Sequence, residues 1–287
     1  MEIVTYTNRF GESVTFGGPP FYLQEIIGLG DVPANLQTQR VPYEDGSTLI
    51  DVLLEERPID ITFLIVNAVD EGGYETVSRR RTEVARIINP KLGPGTLRYE
   101  NDFLVREILV VASSVPIFPD GEGRAKTLQK GMINFVAPDP YWRSLKIDEE
   151  PAFKPLFQFP FSGPFQMGMQ RDRRIINNDG DVAAPLYIEF YGPATNPKIE
   201  NVTTDEFIKV NQTLAEGEKM VIDTTPGTKS VEFVCVNGAR RDVINWLDLD
   251  SIFFKLQLGE NDINYTADND VQGAIVNISY HKRYNAV

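Results

Sequence analysis

The stretch Phe135-Val136-Ala137-Pro138-Asp139-Pro140-Tyr141-Trp142 closes a long run of strand-like sequence and stands just before a change in composition. Pro138 and Pro140 forbid helix and remove backbone donors, so the chain must leave its sheet there. Tyr141 and Trp142 then present large rings, each calling for a pocket and a hydrogen-bond partner. Read locally, this is a strand end with an aromatic plug. Read against its surroundings, it marks the end of one domain.

Upstream, Ile59, Ile61, Phe63 and Ile65 alternate with Asp60, Thr62 and Leu64, the pattern of a half-buried strand. A helix is expected from about Tyr74 to Ile88, where Val77, Val84, Ile87 and Ile88 share one stripe and Asn89-Pro90 ends it. Arg79, Arg80 and Arg81 fall mostly off that stripe. They read either as a solvated face or as a contact for an anionic partner or an acidic neighbouring copy. Residues 34 to 48 lack periodicity and are rich in turn formers, which predicts an exposed loop reaching away from the core. Arg106 to Ile117 and Thr127 to Val136 flank the turn Pro119-Asp120-Gly121-Glu122-Gly123 and predict a long antiparallel hairpin. Residues 1–142 are therefore expected to form an α+β domain, an antiparallel sheet with one helix packed on it.

Downstream, residues 143–173 read as a connecting strap. Phe153, Phe157, Phe159, Phe161 and Phe165 all stand at odd positions among Pro151, Pro155, Pro160 and Pro164. An extended backbone puts such rings on one side, and each is worth ~2 kcal/mol when buried, so packing onto a domain or an adjacent subunit is expected. Residues 174–287 alternate repeatedly, as in Leu186, Ile188 and Phe190, in Val231, Phe233 and Cys235, in Phe254, Leu256 and Leu258, and in Ala274, Val276, Ile278 and Tyr280. Frequent turns and no helix predict a β-sandwich or jelly roll.

The 287 residues carry a net charge of −13, which argues against nucleic-acid binding and means that any assembly is held by specific contacts. One cysteine excludes an internal disulfide and a thiolate metal cluster. The first residues lack the basic start and apolar core of a signal peptide, and no run approaches the ~18 apolar residues of a membrane span, so folding in a cytoplasm is expected.

Catalytic groups are scarce. His281 is the only histidine, falls out of step with the apolar face of its strand and has no second histidine or nucleophile motif beside it. Cys235 reads as a buried small hydrophobe. The pairs Asp248/Asp250 and Asp268/Asp270 lie in turns, and the second lacks the rest of a calcium loop. No phosphate-cradling or dinucleotide motif is present, and no cofactor is expected. The missing sites point to a structural protein.

Several turns then become informative together. Phe135 to Trp142, with Asp139, Pro140, Tyr141 and Trp142, resembles the end of the N-terminal domain of siphophage distal tail proteins (Dit). Asn178-Asp179-Gly180-Asp181 with Pro185 is similar to the N-x-G-D…P opening of that family's C-terminal domain. Gly192-Pro193-Ala194-Thr195-Asn196-Pro197-Lys198-Ile199 matches the G-x…N-P-x-I stretch that follows. Gly259, Asn261 and Tyr265 fit the late L-x-x-G-x-N-x-I-x-Y strand pair.

The resemblance implies a hexameric ring of N-terminal domains with galectin-like β-sandwiches projecting from it. It implies as partners further copies of the chain, the tail tube protein, the tail-associated hub protein, the tape measure protein and a receptor-binding protein. The protein would lie in the virion, at the tail tip or baseplate, after assembly in the bacterial cytoplasm. Pairing between copies is expected at sheet edges or long hairpins, such as Arg106–Val136. Asp139, Tyr141 and Trp142 are expected to fix the angle between the domains, and Arg79–Arg81 and Phe157, Phe159 and Phe161 to lie at interfaces. The competing readings are a glycan-binding module using Tyr187, Tyr191 and Trp246, and a tail-associated cell-wall hydrolase.

Overall fold

The computed structural model describes residues 2–43, 45–67, 73–149, 173–268 and 275–287. They divide into two compact units, Met1–Leu145 with Tyr284–Val287, and Lys146–Arg283. The second unit thus begins within the expected strap, and residues 284–287 group with the first unit rather than with the expected 174–287 domain. Phe157, Phe159 and Phe161 lie outside the described residues.

The first unit contains β1 (Ile3–Thr7), β2 (Ser13–Phe16), β3 (Phe21–Ile27), β4 (Ala34–Gln39), β5 (Thr48–Leu54), β6 (Arg57–Val66), α1 (Gly73–Ile87), β7 (Gly95–Glu100), β8 (Val105–Ala112), β9 (Leu128–Ala137) and β10 (Trp142–Arg143). Its main sheet runs in the order β2-β1-β7-β8-β9-β6-β3, and its pairs are antiparallel. The two ends of this order approach each other where Gly17 N–H donates to Phe21 O at 3.0 Å. Alternation in β6 buries Ile59, Ile61, Phe63 and Ile65, as their spacing predicts. The stripe Val77, Val84, Ile87 and Ile88 of α1 is buried as well. Arg80 Nη1 ties the helix to the end of β6 through Val66 O at 3.0 Å.

The expected 106–136 hairpin forms: β8 and β9 are antiparallel neighbours at Val111↔Val136 and Ala112↔Phe135, and the pairing continues through Ser113 N–H to Asn134 O at 2.9 Å and the Ile117↔Met132 bridge. On its other side β8 pairs with β7 from Val105 to Val110, and β9 pairs with β6 along its whole length. Both strands are interior to the sheet, so neither offers a free edge for pairing between copies. A closing sheet gives each strand two neighbours and uses their backbone groups up.

The second unit contains β11 (Ile147–Glu149), β12 (Arg173–Asn178), β13 (Leu186–Tyr191), β14 (Ala194–Thr195), β15 (Lys198–Asn201), β16 (Glu206–Lys209), β17 (Thr213–Leu214), β18 (Lys219–Asp223), β19 (Ser230–Val234), β20 (Arg240–Asp242), β21 (Gly259–Thr266) and β22 (Val276–Tyr280). Sheets of order β11-β22-β13-β18-β19-β20 and β12-β21-β15-β16 form a sandwich, with β14 and β17 paired separately. Leu186, Ile188, Phe190, Ile222, Phe233 and Ile278 of the larger sheet share one core with Ile176, Ile199, Ile208, Ile263 and Tyr265 of the smaller. Sequence alternation anticipated this inner face. The chain then returns through β23 (Arg283–Tyr284), which pairs with β10. Among the described residues no helix is long and apolar enough to cross a membrane.

Candidate functional site: an uncovered ribbon and its base

Residues 34–54 stand apart from the main sheet as a ribbon in which β4 pairs only with β5. The expected loop is thus a two-stranded arm. Its register places Ala34 opposite Leu54, Leu36 opposite Val52 and Thr38 opposite Leu49, with a shift between Gln37 and Thr38. Directly opposed residues share a face. One face therefore carries Ala34, Leu36, Leu49, Val52 and Leu54, with Thr38 as its polar member, and the other carries Asn35, Gln37, Gln39, Thr48 and Asp51, with Leu53 as its apolar member. Among the described residues nothing in its own unit covers the apolar face: Leu36 is 60% exposed, Leu49 56% and Val52 45%. At the turn, Tyr43 is wholly exposed.

The base of the ribbon is built differently. Its first leg, residues 28–33, leaves β3, and its second leg enters β6 through Glu55 and Glu56. Glu55 N–H donates to Pro33 O at 2.9 Å, joining the legs. Arg57 is fully buried at the foot of the second leg. Its guanidinium donates to Pro140 O at 2.7 Å, to Gly28 O at 2.8 Å, and to Gly30 O and Asn285 O. Burial pushes the Arg57 pKa down, opposed by the charge of Asp31. The planar fork of N–H groups suits four carbonyls converging on one point. Sequence reasoning passed over Arg57, because an arginine is ordinarily read as exposed. The one available signal was its position two residues before an alternating strand.

The residues singled out from the sequence serve mostly to hold turns. Phe135 is buried and stacks on Tyr6 with ring centroids 5.0 Å apart. Asp139 pairs with Arg143 at 2.8 Å, Pro140 supplies a carbonyl to Arg57, and Tyr141 is half-buried. Trp142 is fully buried in the core of the first unit, with its ring edge-on to Tyr99 at 6.4 Å. Among the described residues its Nε1 meets no acceptor, contrary to the expected partner.

In the second unit, Asn178 Nδ2 donates to Val182 O and Leu256 O, both at 3.1 Å. Its Oδ1 accepts from Gly180 N–H. A Cβ at Gly180 would lie 2.8 Å from Arg283 O, and Asp181 N–H donates to that same carbonyl. Pro185 leads into β13. Gly192 N–H donates to Glu218 O at 2.9 Å. Asn196, at φ 51, reaches Asp268 at 2.6 Å, and Pro197 O accepts from Val210 N–H. Asn261 is fully buried. It bridges Gln257 N–H and O at 2.8 and 2.7 Å and accepts from Asn201, around Gly259 at φ 83. Tyr265 meets Phe190 edge-on in the core. These residues fold two hairpins and do not converge on a cleft.

The arginine run divides. Arg79 is exposed, Arg80 binds β6 and Asn67, and Arg81 reaches Gln129 and lies over the Phe118 ring at 5.9 Å. Cys235 is not in the core: β19 ends at Val234, so the thiol leaves the alternation and donates to Glu218 at 3.3 Å. That hydrogen bond, burial and the Glu218 charge together raise its pKa. Asp248 accepts from Asp250 N–H at 3.1 Å, and this bond, with one from Asn211, holds its carboxyl below the usual range. His281 is half-buried in the approach to β23. Among the described residues no three His, Cys, Asp or Glu side chains are grouped as metal ligands.

Two family models match the chain. Residues 11–137 match the phage tail protein RIFT-related domain, and residues 179–284 match the siphovirus-type tail component, C-terminal domain. Among solved structures, the Dit protein (gp 19.1) of phage SPP1, described as a paradigm of the hub adsorption apparatus of phages infecting Gram-positive hosts, is similar over 99% of both chains, at 13% identity and a TM-score of 0.69. A chain of the phage P2 baseplate in its activated conformation with calcium is similar over 97% of both chains, at 10% identity and a TM-score of 0.54. No curated protein matches the sequence. The two family models follow each other along most of the chain, and the chain belongs to the siphophage distal tail protein family, structural components of the tail tip.

Proposed function

We propose that this protein forms a closed ring of identical copies, hexameric as its family resemblance implies, and that the 34–54 ribbon is the arm by which each copy engages the next. The uncovered apolar face of the ribbon carries this reading. An exposed amphipathic ribbon is a liability in a lone chain and an asset in an assembly that covers it. A head-to-tail contact of this kind closes into a ring when its rotation divides the circle. The similarity to a phage hub protein and a baseplate chain supports the same reading. In it, the ring joins the tail tube protein to the tail-associated hub protein, with the tape measure protein and a receptor-binding protein as further neighbours. The protein is assembled in the host cytoplasm and works by interface burial, not catalysis.

Light scattering on the purified protein tests this. A ring gives a mass several times that of the chain, and Leu36→Lys or Val52→Lys reduces it to the chain mass. A monomeric wild-type protein at high concentration overturns the reading.

The glycan-binding alternative receives no support from side-chain placement. Tyr187 and Tyr191 stand on β13, where the Tyr191 hydroxyl donates to Glu189 at 2.9 Å and Lys219 lies 5.6 Å from the ring. Trp246 follows β20, on the far side of β18 and β19, under the Arg241 guanidinium at 5.0 Å. The three rings make no common platform.

A further inference from the structure

Residues 284–287 and the ribbon are far apart in sequence, yet they meet at the ribbon's base. Asn285 O is one of the four carbonyls on the buried Arg57 guanidinium. Val287 N–H donates to Leu29 O at 3.2 Å, on the first leg itself. Tyr284 lies under the Arg106 guanidinium at 3.7 Å, and Tyr284 and Val287 both pack against the core of the first unit. Gly28, whose carbonyl Arg57 also takes, runs close enough to β6 that a Cβ there would lie 3.1 Å from Ile59 Cα. The legs are thus locked from three sides: by β6, by Pro140 and by residues 284–287.

Arg57 makes no ion pair among the described residues, so its charge is held by carbonyl dipoles, with the Asp31 charge acting from beyond pairing distance. A buried cation held this way depends on each acceptor, because a vacant N–H cannot turn to water. Without Asn285 one edge of the guanidinium is unsatisfied, and its hold on Gly28 and Gly30 weakens with it. The first unit has the seven strands of its main order by residue 137, but it fixes the base of its arm only when residues 284–287 dock.

We propose that residues 284–287 are a latch on the ribbon's base, with Arg57 as the keeper, and that the arm is fixed for assembly only after the chain has been made through the whole second unit. A chain stopped before residue 284 would carry those seven strands but a loose arm and would be kept out of the ring. The proposal rests on the ribbon being the assembly arm, but the state of the base is measurable without any ring.

The test compares the full chain with a chain lacking residues 284–287 and with Arg57→Lys, which keeps the charge but not the fork. Hydrogen exchange is followed at residues 28–33 and 55–57, with β7 as internal reference, beside light scattering. The latch predicts exchange at the base faster by about tenfold in the deletion, a smaller rise in Arg57→Lys, an unchanged β7, and loss of the ring. Unchanged exchange at the base overturns it, as does a matching rise in β7, which would mean general loosening. A loosened base in a deletion that still assembles fully refutes the link to assembly. A wild-type monomer whose base loosens on deletion upholds the latch and refutes the ring.

Discussion

Strands β5 and β6 follow one another with only Glu55 and Glu56 between them, and both are rich in aliphatic residues. In β6 every second side chain is buried, from Arg57 through Ile59, Ile61 and Phe63 to Ile65. In β5 every side chain from Thr48 to Leu53 is exposed. Strand-forming sequence is common to both; what differs is the supply of partners. β6 lies between β3 and β9, whereas β5 has β4 alone. A chain that places Leu, Ile and Val on an isolated ribbon beside a well-packed strand has a surface meant for something outside itself.

The strongest way to sharpen this contrast is to damage the packed side. Trp142→Ala removes a fully buried ring and should cost the first unit ~3–5 kcal/mol. Calorimetry should show its transition falling while that of the second unit stays in place. A fall in both transitions would instead favour the expected role of Trp142 in fixing the angle between domains. Next in size is Asn261→Ala, which leaves the Gln257 backbone groups and Gly259 O without their partner. It should cost the second unit about 2 kcal/mol, read as a shift in urea midpoint at constant slope. A change below ~0.5 kcal/mol would mean the amide is dispensable.

A smaller effect concerns acid. Burial acts to raise the Glu189 pKa, but hydrogen bonds from Lys219 and Tyr191 outweigh it and leave the group below its ordinary value. A carboxyl depressed in the folded state contributes stability above its unfolded pKa, and that contribution is lost as pH falls through the folded value. The second unit should therefore weaken as pH drops below about 4.3, and Glu189→Gln should flatten that part of the profile. An identical acid profile in the variant would assign the loss to other carboxylates.

Much of this architecture was legible in the sequence. Period-two runs at 59–65, 186–190 and 231–233 and the stripe of α1 carry their burial directly, because each faces one core. Residues 34–48 of the ribbon were read as a loop, and its second strand was not read at all, for a physical reason. The shift between Gln37 and Thr38 breaks the alternation, and Leu49-Ile50 and Leu53-Leu54 put apolar residues side by side, so neither period shows. The 106–136 hairpin was legible as two strand runs around a turn, but nothing in the turn reveals that β7 and β6 flank those strands on their outer sides. Arg57 was invisible for a third reason: its acceptors, Gly28, Gly30, Pro140 and Asn285, are backbone carbonyls, which leave no trace in side-chain patterns.

The most direct test of the central claim is the mass of the protein in solution with and without a charge on the ribbon's apolar face. The account predicts a closed oligomer for the wild type and a monomer for the double variant Leu36→Lys, Val52→Lys, with both thermal transitions within ~0.5 kcal/mol of those of the unassembled wild-type chain. A double variant that assembles to the wild-type mass would contradict it.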